Sequence, residues 1–84
     1  MCYYVYVLRS VNFDRYYTGM TSNPEKRLVE HNSGLTKSTK PFIPWEIVFL
    51  EKFETRTDAR KREKYLKSGS GREFLKNWTR STTE

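Results

Sequence analysis

The segments CYYVYVL (residues 2–8) and RYYTGM (residues 15–20) decide how this chain folds. Both are rich in aromatic and β-branched residues, which are typical of β-strands. In the first segment both alternating sets of side chains are apolar, which indicates a central strand covered on both faces. Because turn-forming residues lie between the segments at positions 12–14, we expect the first twenty residues to form a β-hairpin.

The next segment contains a helix start. The sequence SNPE (residues 22–25) offers two ways to begin it, an asparagine N-cap followed by proline or a serine–glutamate capping box. We expect this helix to run through His31 and to end at residues 32–34, where glycine can adopt the left-handed conformation. Residues 35–44 are polar and basic and contain two prolines, so they predict an ordered or mobile surface loop that could touch a substrate.

The second half of the chain predicts one strand and two helices. Residues 45–53 have the apolar density of a third strand, buried on both faces for much of its length. A threonine cap, Thr55 or Thr57, starts a second helix that ends at residues 68–69. Residues 72–78 suggest a short final helix.

The order β-β-α-loop-β-α-α predicts an α/β protein of the α+β type, in which helices flank a small, mainly antiparallel, three-stranded sheet. With 84 residues the chain has room for one modest core. We therefore expect a single domain over residues 1–84, with its core at 3–78 and a polar tail at 79–84.

The chain is basic, since 16 Lys and Arg against 10 Asp and Glu give a net charge of +6. Much of the excess lies between Thr55 and Lys67, where six basic residues accompany two acidic ones. Such a surface favours polyanionic partners such as nucleic acid or an anionic membrane surface. Simple solubility is the alternative explanation.

One cysteine, Cys2, and one histidine, His31, exclude an internal disulfide and a zinc site of the usual Cys/His spacing. No apolar run approaches the ~18 residues of a membrane span. The N-terminus also lacks the basic start and hydrophobic core of a signal peptide. We therefore expect a cytoplasmic protein without a membrane partner.

Glu63 stands out on the second predicted helix. Ala59, Glu63 and Leu66 recur at helical spacing, which places a carboxylate within the stripe that should face the sheet. Burying an unpaired carboxylate is costly, so Glu63 needs a cation, a basic partner or a water-lined cleft. A salt bridge to a neighbouring Arg or Lys, or a rotated helix that exposes Glu63, explains the pattern without a function.

Arg27 and His31 lie at i and i+4 on the first predicted helix, so their side chains project from one face. A guanidinium group binds phosphate oxygens and an imidazole can accept a proton near neutral pH. The two residues could therefore converge on one ligand, or they could simply form a solvated face.

The two hairpin strands carry more tyrosine than a core needs, because phenylalanine packs as well without a hydroxyl group to satisfy. Ordinary β-propensity is the alternative. Whether Tyr6 and Tyr17 share a face depends on the hairpin register. Gly19 ends the second strand, where the missing side chain would let backbone and substrate come close.

Taken in chain order, Tyr4-Val5-Tyr6, Tyr17-Thr18-Gly19, Arg27 and Glu63 resemble the signature of the GIY-YIG nuclease superfamily. The sequence is most similar to the small single-domain, UPF0213-like members, and the resemblance covers nearly the whole chain. Two positions differ from the letters of the superfamily name, Tyr for Gly and Thr for Ile. Met20 stands where some members carry a lysine.

The resemblance implies a three-stranded antiparallel sheet with flanking helices and a divalent-metal-dependent cut of DNA, with Mg²⁺ or Mn²⁺ as the ion. Tyr6 and Tyr17 would be the triplet tyrosines, one of which activates or orients the attacking water. Arg27 would steady the scissile phosphate. Glu63 would bind the metal ion. His31 matches a histidine found in some members one turn after the arginine, and it could relay the proton of a tyrosine.

Further residues are expected to contact the substrate: Gly19, Lys37, Lys40, Arg60 and Asn77. Many members carry an asparagine late in the domain, and Asn77 is the candidate here.

These inferences predict an endonuclease that hydrolyses DNA phosphodiester bonds. Because the chain has no visible module for reading a base sequence, the expected substrate is branched, damaged or single-stranded DNA, in repair or recombination. A non-catalytic nucleic-acid-binding module is the main alternative. A protein-interaction adaptor is a third.

Overall fold

The computed structural model describes residues 2–82. Its elements are β1 (Tyr3–Ser10), β2 (Tyr16–Thr21), α1 (Pro24–Asn32), a 3₁₀ helix (Lys40–Phe42), β3 (Trp45–Phe53), α2 (Arg56–Lys67) and α3 (Gly69–Thr82). The strands form one antiparallel sheet in the order β2-β1-β3. This confirms the predicted α+β fold and element order. No helix within the described residues is long and apolar enough to cross a bilayer.

The central strand β1 separates two small cores. Its four middle residues, 5–8, are all buried. Val5 and Val7 point to one face, where they pack with residues of α2 and α3. Tyr6 and Leu8 point to the opposite face, which α1 and the segment before β3 cover. Tyr6 therefore lies in the core beneath α1.

The hairpin register settles which tyrosines share a face. Tyr6 pairs with Gly19, and Leu8 pairs with Tyr17. Residues directly opposite each other in an antiparallel pair project to the same face. Tyr6 and Tyr17 therefore lie on the same side of the sheet.

The third strand is less buried than expected. In β3 only Trp45 and Phe49 are buried, and Leu50 is 49% exposed although it pairs with the buried Tyr6. The prediction of two covered faces was wrong for most of this strand. The reason is that β3 is an edge strand, so the helices cover it only in part.

The helix starts follow the capping chemistry of the sequence. Asn23 caps α1, because its side-chain oxygen accepts a hydrogen bond from the Lys26 N–H at 3.2 Å. Gly34, at a φ of 79°, takes the left-handed conformation just after that helix. Thr55 caps α2 by accepting a hydrogen bond from the Asp58 N–H.

The last helix is longer than expected at both ends. It begins at Gly69 rather than residue 72 and continues to Thr82, beyond the predicted end at residue 78. Ser68 explains the early start, because its Oγ accepts a hydrogen bond from the Gly71 N–H at 3.2 Å, directly after α2 ends. The expected tail is therefore helical over its first residues, and positions 83 and 84 lie outside the described part of the chain.

The expected surface loop between α1 and β3 is partly a core element. Thr39 is 2% exposed, and Phe42 and Ile43 pack against the core beneath α1. The Asn32 side chain bonds both the N–H and the C=O of Trp45, which fastens the end of this segment to α1. The segment therefore forms a wall of that core.

Replacing Gly71 with alanine should separate α2 from α3. An added Cβ would overlap the carbonyl oxygen of Tyr65 and the Cα of Leu66. Overpacking of this kind costs about 1–3 kcal/mol of unfolding free energy, measured as a lower urea midpoint at unchanged m-value. Gly69→Ala is the matched control, because nothing lies within 4 Å of its added Cβ. Equal destabilisation by the two substitutions would contradict this packing.

Candidate active site

Four of the five expected catalytic residues meet on the face of the sheet that α1 covers. Tyr6 and Tyr17 project from neighbouring strands, and their ring centroids lie 6.3 Å apart. The His31 ring from α1 lies 4.7 Å from Tyr17 and 6.1 Å from Tyr6 between centroids. Arg27, one turn earlier on α1, interacts with the Tyr6 hydroxyl group. The structure thus brings together side chains that are distant in sequence.

A chain of buried hydrogen bonds orients the imidazole. The Thr39 hydroxyl donates to the Thr36 carbonyl oxygen at 3.3 Å, so it accepts from Nδ1–H of His31 at 2.9 Å. With Nδ1 protonated, Nε2 of the neutral ring accepts from the Tyr6 hydroxyl at 3.3 Å. Tyr6, His31 and Thr39 are each 2% exposed or less. The neutral Nδ1–H tautomer satisfies this entire chain.

Burial also sets the protonation states. Removal from water lowers the pKa of His31 below 6.5, and the positive charge of Arg27 lowers it further, against an opposing effect of Glu30. Burial raises the pKa of Tyr6 above its ordinary value of 10.0, although the hydrogen bond from Arg27 opposes this. At neutral pH Tyr6 is therefore a phenol, and His31 is a free base that can accept its proton.

Gly19 provides the space that Tyr6 occupies. A Cβ on Gly19 would lie 2.6 Å from the Tyr6 hydroxyl oxygen. Any side chain here would displace the tyrosine ring. The sequence suggested a close approach of substrate to this glycine, and the structure shows that the ring of Tyr6 makes the close approach.

Glu63, the fifth residue, lies on α2, which packs against the opposite face of the sheet. Its side chain is 16% exposed, and its Oε2 accepts a hydrogen bond from Nζ of Lys67 at 3.1 Å. Its negative charge contributes to the raised pKa of Tyr6, so the carboxylate lies within electrostatic range of that phenol. Lys67 also lines a cavity of about 640 Å³ together with Tyr17 and Thr18. The last turn of α2 therefore lies beside β2.

Two residues of the cluster were missed from the sequence. Glu30 binds Nη1 of Arg27 through Oε1 at 2.8 Å, and together with Tyr6 it raises the pKa of the guanidinium group. The i, i+3 spacing of Arg27 and Glu30 was a signal that could have found it. Thr39 stands among other polar residues of its segment, so no sequence signal marked it.

The other expected substrate contacts lie exposed on the surface, outside the buried cluster. Lys37 and Lys40 belong to the segment between α1 and β3, and Asn77 lies on α3. Arg60 lies on α2 beside a shallow concavity whose lining is basic apart from one threonine. The residues that line this concavity are Arg56, Thr57, Arg60, Lys61 and Lys64.

The acidic side chains fit a divalent ion only in part. Within residues 2–82, no three His, Cys, Asp or Glu side chains lie close enough together to hold a metal ion. Mg²⁺ commonly takes one or two protein carboxylates and completes its coordination with water and substrate phosphate. Glu63 suits such a partial site, because its carboxylate is partly exposed and lies within electrostatic range of Tyr6.

Comparison with known families shows to which family the chain belongs. The GIY-YIG catalytic domain matches residues 2–82, a span that includes every residue of the cluster. The chain therefore belongs to the GIY-YIG family, which is a family of nucleases whose members generally use a divalent metal ion.

The similar proteins are UPF0213 proteins. One from Clostridium perfringens is 42% identical over 65 residues, covering 76% of this chain and 69% of that protein. One from Syntrophus aciditrophicus is 43% identical over 74 residues, covering 86% and 84%. The solution NMR structure of a UPF0213 protein from Bacillus halodurans has a TM-score of 0.55 and 30% identity, and the match covers 92% of this chain and 84% of that one. The resemblance and the fold inferred from the sequence are thereby confirmed.

The lowered pKa of His31 predicts how stability depends on pH. Below pH 6.5 the unfolded chain binds a proton that the folded imidazole resists, so stability falls as the pH falls. The limit for one proton is about 1.4 kcal/mol per pH unit. Above that range the ring is neutral in both states and contributes no pH dependence.

Urea unfolding of the wild type and His31→Gln between pH 5 and 8 checks this. The carboxylates titrate in both proteins, so the difference in unfolding free energy isolates the imidazole. The wild type should be more stable at pH 8, and its advantage should shrink as the pH falls. An advantage that stays constant or grows towards pH 5 would contradict a neutral, buried His31.

Proposed function

We propose that this protein is a DNA endonuclease of the cytoplasm that hydrolyses phosphodiester bonds with one Mg²⁺ or Mn²⁺ ion. The observation that carries the proposal is the buried hydrogen-bond chain from Tyr6 through His31 to Thr39, in which Tyr6 also interacts with Arg27 and lies within electrostatic range of Glu63. A neutral imidazole held this way supplies the proton acceptor that phosphodiester hydrolysis requires.

The proton transfer proceeds through the phenol. A free phenolate is unavailable at neutral pH because burial raises the pKa of Tyr6. Tyr6 instead passes its proton to Nε2 of His31 while it takes one from the attacking water. The resulting hydroxide forms the new bond to phosphorus, and the bond to the leaving oxygen breaks. The leaving alkoxide takes a proton from solvent water, and His31 becomes an imidazolium. Tyr17, half-buried next to this pair, lies on the more open side and orients the water.

Arg27 and Glu63 supply the electrostatic part of the reaction. The Arg27 side chain is 35% exposed, so its guanidinium can hold a non-bridging oxygen of the phosphate where negative charge develops. Glu63 would hold the divalent ion together with water and phosphate oxygens. Such an ion, when bound, provides positive charge for the leaving oxygen.

The surface of α2 favours DNA as the substrate. Arg56, Arg60 and Lys64 recur at i, i+4 and i+8, which forms a basic stripe beside Glu63. Within the described residues these three cations form no ion pair, so they remain available to phosphates. Backbone contacts of this kind bind without reading base sequence. We therefore propose branched, damaged or single-stranded DNA, in repair or recombination, as the substrate.

A second candidate is a nucleic-acid-binding module that does not cut. The ion pairs of Arg27 with Glu30 and of Glu63 with Lys67 favour it, because both occupy groups that the reaction needs. In that case the basic surface and the tyrosines contact phosphates and bases without chemistry.

A cleavage assay on branched, nicked, single-stranded and duplex DNA tests the proposal. With Mg²⁺ or Mn²⁺ the wild type should cut at least one substrate, and EDTA should abolish cutting. Arg27→Ala and Glu63→Gln should each lower the rate by about 10²–10³-fold, the usual loss when one electrostatic contact to a transition state is removed. Glu54→Gln, at an exposed position before α2, makes the same charge change away from the cluster and should have little effect.

Fluorescence anisotropy with the same DNA separates the two candidates. Glu63→Gln should retain binding while it loses cutting. Tight, salt-sensitive binding by every form, with no cutting by any of them, would reject the nuclease and support the binding module.

A further inference from the structure

The carboxylate proposed to hold the metal ion already has a cation. Nζ of Lys67 lies 3.1 Å from Oε2 of Glu63, one helical turn away on α2. The two partners differ in exposure, with 16% for Glu63 and 56% for Lys67. Because Lys67 is mostly solvated, it can leave the pair while the carboxylate stays in place.

Lys67 is the cation assigned to this carboxylate. Two other basic side chains, Arg27 on α1 and Arg62 on α2, are paired elsewhere, with Glu30 and Glu51. Lys64, the residue directly after Glu63, forms no ion pair with it. The charge of Glu63 in the free protein is therefore balanced by Lys67.

An ammonium group and a divalent ion compete for the same carboxylate. A unit positive charge about 6 Å from a divalent ion weakens its binding by about tenfold even in a water-like dielectric. A single carboxylate binds Mg²⁺ weakly to begin with, since the ion keeps its waters unless further oxygen ligands are present. Lys67 therefore opposes metal binding as long as no phosphate is present.

The Lys67 ammonium group can also interact with a phosphate instead of Glu63. Lys67 lines the cavity of about 640 Å³ between β2 and the last two helices, and its side chain is 56% exposed, so the ammonium group can turn from Glu63 towards a phosphate in the solvent. A phosphate that enters from this side attracts the ammonium group and offers oxygen ligands to a divalent ion at the same time. The attraction of Lys67 and the additional oxygen ligands both favour binding of a divalent ion at Glu63.

We propose that Lys67 closes the metal site of the free protein and opens it when DNA binds. In the free protein Lys67 neutralises Glu63 and keeps divalent ions away. When the DNA backbone arrives, Lys67 moves from the carboxylate to a phosphate oxygen, which would leave Glu63 free to hold a divalent ion. This inference rests on the proposed function and adds an order of events, in which the metal ion binds together with the substrate.

Binding of Mn²⁺ to the DNA-free protein tests the inference without any cleavage. The loss of the free-ion signal in electron paramagnetic resonance gives the affinity directly. Lys67→Met should bind Mn²⁺ about tenfold more tightly than the wild type. Lys64→Met removes the same charge from the same helix without touching the Glu63 pair, so it should raise the affinity clearly less than Lys67→Met does. Lys67→Arg keeps a cation at the carboxylate and should behave as the wild type.

The double variant Glu63→Gln, Lys67→Met assigns the effect to the carboxylate. This double variant should bind Mn²⁺ no more tightly than the wild type. The inference is overturned if Lys67→Met binds Mn²⁺ no more tightly than Lys64→Met, or if the gain survives in the double variant. If Lys67→Met shows no gain in Mn²⁺ affinity but the protein still cleaves DNA, only the role of Lys67 is rejected. If the gain is observed but no DNA is cleaved, only the nuclease is rejected.

Discussion

The hydrogen bond between the buried Tyr6 hydroxyl and His31 is the interaction on which the site depends. It fixes the imidazole only because Thr39 accepts from the other ring nitrogen, and Thr39 is placed by the segment between α1 and β3. Gly19 on β2 leaves the space in which the tyrosine ring lies. Thr39 and Gly19 therefore both help to fix the position of one proton, the one that Tyr6 shares with His31.

The cluster separates neutral from charged groups. Tyr6 and His31 are buried and uncharged, and burial itself keeps them so, because it disfavours the phenolate and the imidazolium. The charged groups lie further out, and each is paired within its own helix, Arg27 with Glu30 and Glu63 with Lys67. Each pair has a partner that solvent reaches, 35% exposed for Arg27 and 56% for Lys67, so a phosphate or a metal ion can compete for these groups.

The sequence was sufficient for the fold but not for the contacts within the site. Strand composition, the Asn23 cap and the order of elements predicted the α+β architecture, because these signals are local. The long-range contacts could not be predicted from the sequence. The exposure of Leu50 depends on strand order, the close approach of Gly71 to Tyr65 and Leu66 depends on how α2 and α3 pack, and the role of Thr39 depends on the path of its segment.

The tautomer of His31, measured by NMR, tests the proposed hydrogen-bond chain most directly. His31 is the only histidine of the chain, so ¹⁵N NMR of the imidazole needs no further assignment. The hydrogen bonds to Thr39 and Tyr6 predict that at pH 7 the ring is neutral, with the proton on Nδ1 and a lone pair on Nε2. A proton on Nε2 of a neutral ring, or an imidazolium at that pH, would contradict the proposed path of the proton from Tyr6.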